Sequence, residues 1–278
     1  MPDQPFLTRL RGALQSLHPA ERKLGDLLAD FPGELASYSA SELARLAGVS
    51  NATVTRFIRK LGYDSYEEAR RHAREGQESG SRLFLAHPGG TSVPDLAASY
   101  AERDSENLRR TLDGLDMGAI NSLATALLGA RRVWLIGYRA GHPFATYMQW
   151  QLTQVIEDVV AIPGGGQTMG EHFVSIRPTD VMIVFGLRRR VAQMEDILTL
   201  AEDSGAALAY ITDEGAPRRK GAKWHFHCHT SSVGPLFSHT AVMGLCNLIA
   251  NQTIELAAQA GRARLASIER FNDALGEL

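Results

Sequence analysis

The chain has 278 residues, 44% of them hydrophobic, and a formal net charge of −2 with a pI near 6.5. That length and apolar content suit a globular protein of one large domain or two ordinary ones, and the near-neutral balance excludes a protein coated in basic residues, so any nucleic-acid contact must come from a local patch. Two cysteines, Cys228 and Cys246, give neither a disulfide framework nor a C-x-x-C pair, which points to a reducing cytoplasm.

The first residues, MPDQPFLTRLRGAL, lack the apolar core of a signal peptide, and no run of about 18 apolar residues appears elsewhere, so the expectation is a cytoplasmic protein without a membrane partner. From Phe6 to about Gly76 apolar residues recur at helical spacing in short segments, as in Leu24, Leu27, Leu28 and Phe31 and again in Leu43, Leu46 and Ala47, which predicts a bundle of short helices. His18-Pro19 opens one of them and Phe31-Pro32-Gly33 stops it, with proline in the first turn where its missing N–H costs nothing.

Ser39 to Tyr63, SASELARLAGVSNATVTRFIRKLGY, carries the strongest signal. Ser39 and Glu42 have capping-box spacing, so a helix should run from Ala40 to Ala47. Gly48 ends it, Val49 plugs the turn, Ser50 caps the next helix, and Val54, Phe57, Ile58 and Leu61 give that helix an apolar stripe. A short glycine-bearing turn of this kind lets two helices cross steeply, the second entering a major groove while the first braces on the backbone. The recognition face predicted for the second helix, with its cap, is Ser50, Asn51, Thr53, Thr55, Arg56, Arg59 and Lys60. Asn and Arg can pair with base edges, while Ser, Thr and Lys mostly serve phosphates. Residues 45 to 74 hold seven Lys or Arg (45, 56, 59, 60, 70, 71, 74) against three acids (64, 67, 68), a local excess of four. A solvated helical hairpin in a bundle is the bland alternative.

Residues 79–94 include AHPGGTSVP and read as a linker, giving predicted domains of 1–78, helix-turn-helix, and 95–278, with helices from Asp95 to Leu112 and Met117 to Leu128. Val133–Ile136, Val159–Ile162, Val181–Phe185 and Leu208–Ile211 are short apolar runs without alternation, as expected of strands buried on both faces, with a fifth strand around Trp224 to Cys228. Helical segments Pro143 to Ile156 and Val191 to Ser204 lie between them. The predicted fold is therefore α plus α/β: a helical helix-turn-helix bundle followed by a doubly wound, parallel, five-stranded α/β domain.

The stretches LHPAERKLGDLLADFP and SASELARLAGVSNATVTRFIRKLGYDSYEEAR resemble the MurR/RpiR regulators, which join a helix-turn-helix domain to a sugar isomerase (SIS) domain. The resemblance implies a homodimer or homotetramer, a palindromic double-stranded operator, repression as the commoner habit, and control by a small anionic metabolite, often a phosphorylated sugar. No cofactor is expected.

Ligands of doubly wound sheets sit at the carboxyl ends of strands near the switch point, where helix amino termini offer N–H groups. Two loops qualify: Gly137-Tyr138-Arg139-Ala140-Gly141-His142 after the first strand, and Gly186-Leu187-Arg188-Arg189-Arg190 after the third. In SIS domains these places usually carry serine-rich loops. Here the resemblance sets Arg139 where a second glycine is expected, Gly141 at a serine position, and Arg188, Arg189 and Arg190 in place of hydroxyls, as in a subgroup of the family. The candidate effector residues are thus Gly137, Arg139, Gly141, His142, Gly186, Arg188, Arg189 and Arg190, joined by Ser231 and Ser232 after the fifth strand. Arginine suits phosphate or carboxylate, whereas three cations at a helix start oppose its dipole and call for a bound anion or an acidic neighbour. Ser231 and Ser232 could equally cap a helix beginning near Gly234 or Pro235. Pro163-Gly164-Gly165-Gly166 matches no Walker or Rossmann spacing and reads as a plain loop.

His225, His227 and His229 share one face of the fifth strand. Their neighbours lie about 7 Å apart, too far to ligate one ion at about 2 Å, so a half-exposed edge strand is favoured over a metal site. A sugar-phosphate isomerase with an accessory DNA-binding domain is the competing function. Its base could come from Glu171, His172 or His239, yet no paired base or nucleophile rises above background.

Overall fold

A proline at the first helical position and a carboxylate three residues beyond His18 start the chain's second helix: Glu21 accepts from the His18 N–H at 3.2 Å. The computed structural model describes residues 6–13, 16–30, 35, 38–78, 93–188, 190–233 and 236–277. They form two compact units.

The amino-terminal unit is helical: α1 (Phe6–Ala13), α2 (Pro19–Asp30), α3 (Ala40–Leu46), α4 (Asn51–Lys60) and α5 (Tyr66–Glu78). Leu10, Leu24, Leu28, Leu43, Val54, Phe57 and Ile58 are buried together in one core, which is the stripe expected from their spacing. Helix α5 contributes Ala69 and Ala73 to it, four residues apart and so on one face. The stop proposed at Phe31-Pro32-Gly33 lies outside the described residues, as do positions 79–92 of the expected linker.

The carboxy-terminal unit carries a five-stranded sheet in the order β2-β1-β3-β4-β5, every pair parallel. Its strands are β1 (Val133–Gly137), β2 (Val159–Ile162), β3 (Val181–Gly186), β4 (Ala207–Asp213) and β5 (Trp224–Cys228). Alternate residues divide the two faces, as the pleat requires. Val133, Leu135, Ile183, Phe185, Ala209 and Ile211 join one core, while Trp134, Ile136, Met182, Val184, Leu208 and Tyr210 join the other. Helices α7 (Met117–Gly129), α8 (Gly141–Thr153) and α11 (Thr240–Leu275) supply the first core, and α10 (Met194–Asp203) with the five-residue α9 (Met169–Phe173) the second. Helix α6 spans Val93–Asp113, and α11 is interrupted at Ala258 (φ 48°, ψ −126°).

Several bounds depart from expectation; helix α8, for one, runs Gly141–Thr153 where Pro143 to Ile156 was predicted. Helix α10 starts at Met194, three residues later than predicted, because Val191 enters a turn closed by the Met194 N–H on the Val191 carbonyl at 3.1 Å. β4 and β5 are joined without a helix, by residues 214–223, close to the shortest connection a parallel pair allows.

At the amino ends of the strands, Asp180 (1% exposed) accepts from Arg131 at 2.8 and 2.7 Å, from the Trp134 indole at 2.8 Å and from the Arg177 N–H at 3.0 Å. Burial alone would raise this carboxyl, but the Arg131 guanidinium, the indole and the Arg177 amide outweigh it and hold the group below the ordinary range. The network pins the end of the sheet opposite the strand carboxyl termini. Among the described residues no helix is long and apolar enough to cross a membrane.

Candidate DNA-reading helix and effector loops

Helix α3 begins with a complete capping box: the Ser39 hydroxyl accepts from the Glu42 N–H at 3.3 Å, and the Glu42 carboxylate accepts from the Ser39 N–H at 2.8 Å. Ala47 closes it, and Gly48 takes φ +62°, a conformation costly to any residue with a Cβ. The chain then turns tightly, with the Val49 N–H on the Ala44 carbonyl at 2.8 Å and Val49 packed against the core. Ser50 caps α4, accepting from the Thr53 N–H at 3.2 Å. Every step of this turn follows from local residue chemistry.

Val54, Phe57 and Ile58 face inward, and Asn51, Thr55, Arg56 and Arg59 are exposed on the other side of α4. Thr53 does not belong to that exposed set. It is 5% exposed, with its hydroxyl 3.0 Å from that of Ser50, because the third residue of a capped helix turns back towards its cap. Lys60 is exposed, but its ammonium donates to the Ser16 carbonyl at 2.6 Å and to Glu21 at 3.1 Å, tying α4 to α2. Burial raises the Glu21 carboxyl, yet the His18 N–H and Lys60 reverse the effect and leave it lowered.

In the α/β unit the crossovers from β1 and to β3 run to opposite sides, so the switch point lies between these two strands. Gly137 ends β1 beside Phe185 of β3, which brings the two predicted loops together. Gly137 and Gly141 permit the close approach: a Cβ on Gly137 would sit 2.3 Å from the Gly141 carbonyl oxygen, and one on Gly141 would sit 2.9 Å from the Phe185 Cβ. Arg139 holds φ +51°, the backbone conformation a glycine would fill most easily. The Gly141 N–H donates to the Tyr138 carbonyl at 2.8 Å and the His142 N–H to the Arg139 carbonyl at 3.2 Å, and Pro143 has none. The Gly141 and His142 amides are thus engaged in the turn itself, and the Arg139 side chain is an exposed cation of this loop.

The second loop brings its own counter-charge. Arg188, 3% exposed, donates to Asp213 Oδ1 through Nε at 3.2 Å and Nη2 at 2.7 Å, and Arg190 donates to Oδ2 at 2.6 Å. Asp213 is fully buried at the end of β4. The acidic neighbour anticipated for the arginines is therefore internal, and the arginines precede α10 rather than starting it. Arg190 also bonds the Tyr210 hydroxyl, whose pKa burial raises against the pull of that cation. The Tyr210 ring occupies the space over Gly186, where a Cβ would meet its oxygen at 2.2 Å. Arg189 lies outside the described residues.

Ser231 is half-buried and Ser232 buried in the loop after β5. Neither caps the next helix, for α11 starts at Thr240 with His239 before it, while Gly234 and Pro235 lie outside the described residues.

β5 is an edge strand with alternating burial. The Arg219 N–H donates to His225 Nδ1 at 3.0 Å, so Nε2 carries the proton and donates to the Thr212 hydroxyl at 2.9 Å. Burial first, then the charges of His227, Arg218 and Arg190, push His225 down to about 3. His227 stacks on it at 4.2 Å. The hydrogen-bonded His225 imidazole, with His227 stacked on it, finishes this sheet edge, and among the described residues no group of three His, Cys, Asp or Glu could hold a metal.

Residues 5–76 match the helix-turn-helix domain of the rpiR family, and residues 126–250 match the SIS domain. The chain has the RpiR-family architecture. The HTH-type transcriptional regulator HexR of Pseudomonas aeruginosa is 24% identical over 217 residues, covering 76% of this chain and 74% of that protein. The sugar isomerase domain of an RpiR transcription factor from Sphaerobacter thermophilus superimposes with a TM-score of 0.58 at 24% identity, over 63% of this chain and 98% of that one. The Vibrio vulnificus NanR protein complexed with ManNAc-6P gives 0.61 at 16% identity, over 97% and 98%. These two likenesses show the fold.

Proposed function

We propose that this chain is a transcriptional regulator that reads a palindromic operator through α4 and changes its DNA affinity when a small anionic metabolite occupies the β1 and β3 loops. The observation that carries the reading is the capped, glycine-turned α3–α4 pair presenting Asn51, Thr55, Arg56 and Arg59 away from its core. Phosphates position such a helix and base edges specify it. We assign residues 1–78 to DNA binding, 79–94 to a linker and 95–278 to effector binding and assembly into a homodimer or homotetramer. Repression in the cytoplasm is the mode this reading favours.

At the effector loops Arg139 is an exposed cation, and the Arg188, Arg190 and Asp213 cluster adds a formal charge of +1 from its three groups. Anion binding is supported by that balance and by the sugar phosphate in the NanR complex. The arginines in place of serines suit a phosphorylated sugar or a sugar acid held by guanidinium rather than by hydroxyl and amide donors.

An isomerase would need a base free to move a proton between adjacent carbons. Glu171 instead accepts from the Thr168 hydroxyl at 3.2 Å, and His172 Nε2 is bonded to the Gln167 amide oxygen at 3.0 Å; His239, the third candidate, keeps a buried Nε2 without a partner among the described residues, so the non-enzymatic role is favoured by the HTH-type regulator relatives rather than by the lack of a base. The test is fluorescence anisotropy of the full chain on duplexes from upstream of its own gene, titrated with sugar phosphates and sugar acids. Anion-induced change in duplex affinity without turnover is expected; turnover of a phosphosugar with no duplex binding would overturn the reading.

A further inference from the structure

Among the described residues of the α/β unit two buried side-chain atoms lack a hydrogen-bond partner, Asp104 Oδ1 and His239 Nε2, and the second lies beside the effector loops. His239 precedes α11, and its Nε2 is buried without a hydrogen bond among the described residues. Its ring lies 5.8 Å from that of Phe144, which follows Gly141 by three residues, and Phe144 in turn lies 6.1 Å from Phe185, the residue before Gly186. Asp213 is near enough to act on its charge. The imidazole therefore stands at the corner where the start of α8 and the ends of β3 and β4 meet. Native proteins leave few buried nitrogens unsatisfied, and those they leave mark places where a water or ligand completes the bond.

We propose that His239 Nε2 hydrogen-bonds a hydroxyl group of the effector, so that the site selects a hydroxylated anion over a bare one. Burial lowers the imidazole pKa against the pull of Asp213, so the ring is neutral near pH 7 and holds one donor and one acceptor nitrogen. A hydroxyl complements Nε2 in either tautomer, whereas the anionic end of the same molecule is left to the arginines. Sites built to bond a hydroxyl reject analogues that lack it, because the site's own polar atom is then stranded. The inference rests on the anion-effector reading and adds the chemistry of the rest of the ligand.

The test uses isothermal titration of the full chain with glucose 6-phosphate and with n-hexyl phosphate, which share the anion and differ in hydroxyls. Wild type should prefer glucose 6-phosphate. His239→Leu should lose about tenfold in that affinity, the size of one hydrogen bond, and keep its affinity for n-hexyl phosphate within about twofold. If His239→Leu fails to fold, His239→Phe, an apolar ring of similar shape, replaces it, and the same loss of about tenfold for glucose 6-phosphate alone is expected. Equal weakening of both ligands, or no change in either, overturns the assignment of His239, the latter result meaning that only a buried water satisfies the nitrogen. Binding of neither phosphate by wild type overturns the anion site itself, and this inference with it.

Discussion

Removing the charge of Asp213 while keeping its shape should be among the most damaging single changes in the α/β unit. Asp213→Asn leaves the Arg188 guanidinium, 2% exposed, without the anion that accepts two of its hydrogen bonds, and it also releases Arg190, 18% exposed. Charges about 4 Å apart at an effective dielectric near 20 attract by about 4 kcal/mol, and stranding one partner of a buried pair costs about 3–5 kcal/mol in practice. Arg188→Ala should cost less, about 2–3 kcal/mol, since Arg190 still faces the carboxylate, and Arg190→Ala less again, about 1 kcal/mol after solvent screening. Replacing the inner pair together, Arg188→Met with Asp213→Leu, should recover much of the loss. Urea denaturation followed by tryptophan fluorescence is the assay, because Trp134, Trp150 and Trp224 all lie in this unit. A loss below about 1 kcal/mol for Asp213→Asn, or a larger loss for Arg190→Ala than for Arg188→Ala, would refute the buried-pair account.

Asp180 is held below its unfolded value, so its stabilising contribution is complete above about pH 4 and disappears as pH falls through the lower folded value; Asp180→Asn should flatten the acid limb of a stability profile, and an unchanged limb would contradict the network. Arg139→Gly should relieve a left-handed backbone worth about 1 kcal/mol while abolishing any anion response, so a raised melting temperature with retained response would move the anion elsewhere. Lys60→Met should lower the stability of the helical unit by cutting the bond to Glu21, visible as earlier loss of helical circular dichroism; an unaffected melt would return Lys60 to the DNA face alone.

Much of this was legible because it is local. Ser39 with Glu42, Gly48, Ser50 and the 54, 57, 58 stripe each act within one helical turn, and four apolar runs without alternation announce a sheet covered on both faces. What escaped the sequence is set by partners far away in the chain. Lys60 meets Glu21 across 39 residues and Arg188 meets Asp213 across 25, and neither pairing leaves a periodic trace. Thr53 looked outward on a helical wheel but is claimed by the Ser50 cap. An acid closing β4 one strand away from an arginine loop was the available signal for Asp213, whereas His239 could not be singled out before its nitrogen was seen to be buried and unpartnered.

The measurement that bears most directly on the central claim is the affinity of the full chain for its own upstream duplex as a function of salt, for wild type, Arg56→Ala and Arg59→Ala. With α4 as the reading helix, wild type binds with a steep salt dependence, and each variant loses about tenfold or more in affinity while its melting curve stays that of wild type. Unchanged affinity in both variants across the salt series would remove α4 from the interface and with it the proposed mode of operator recognition.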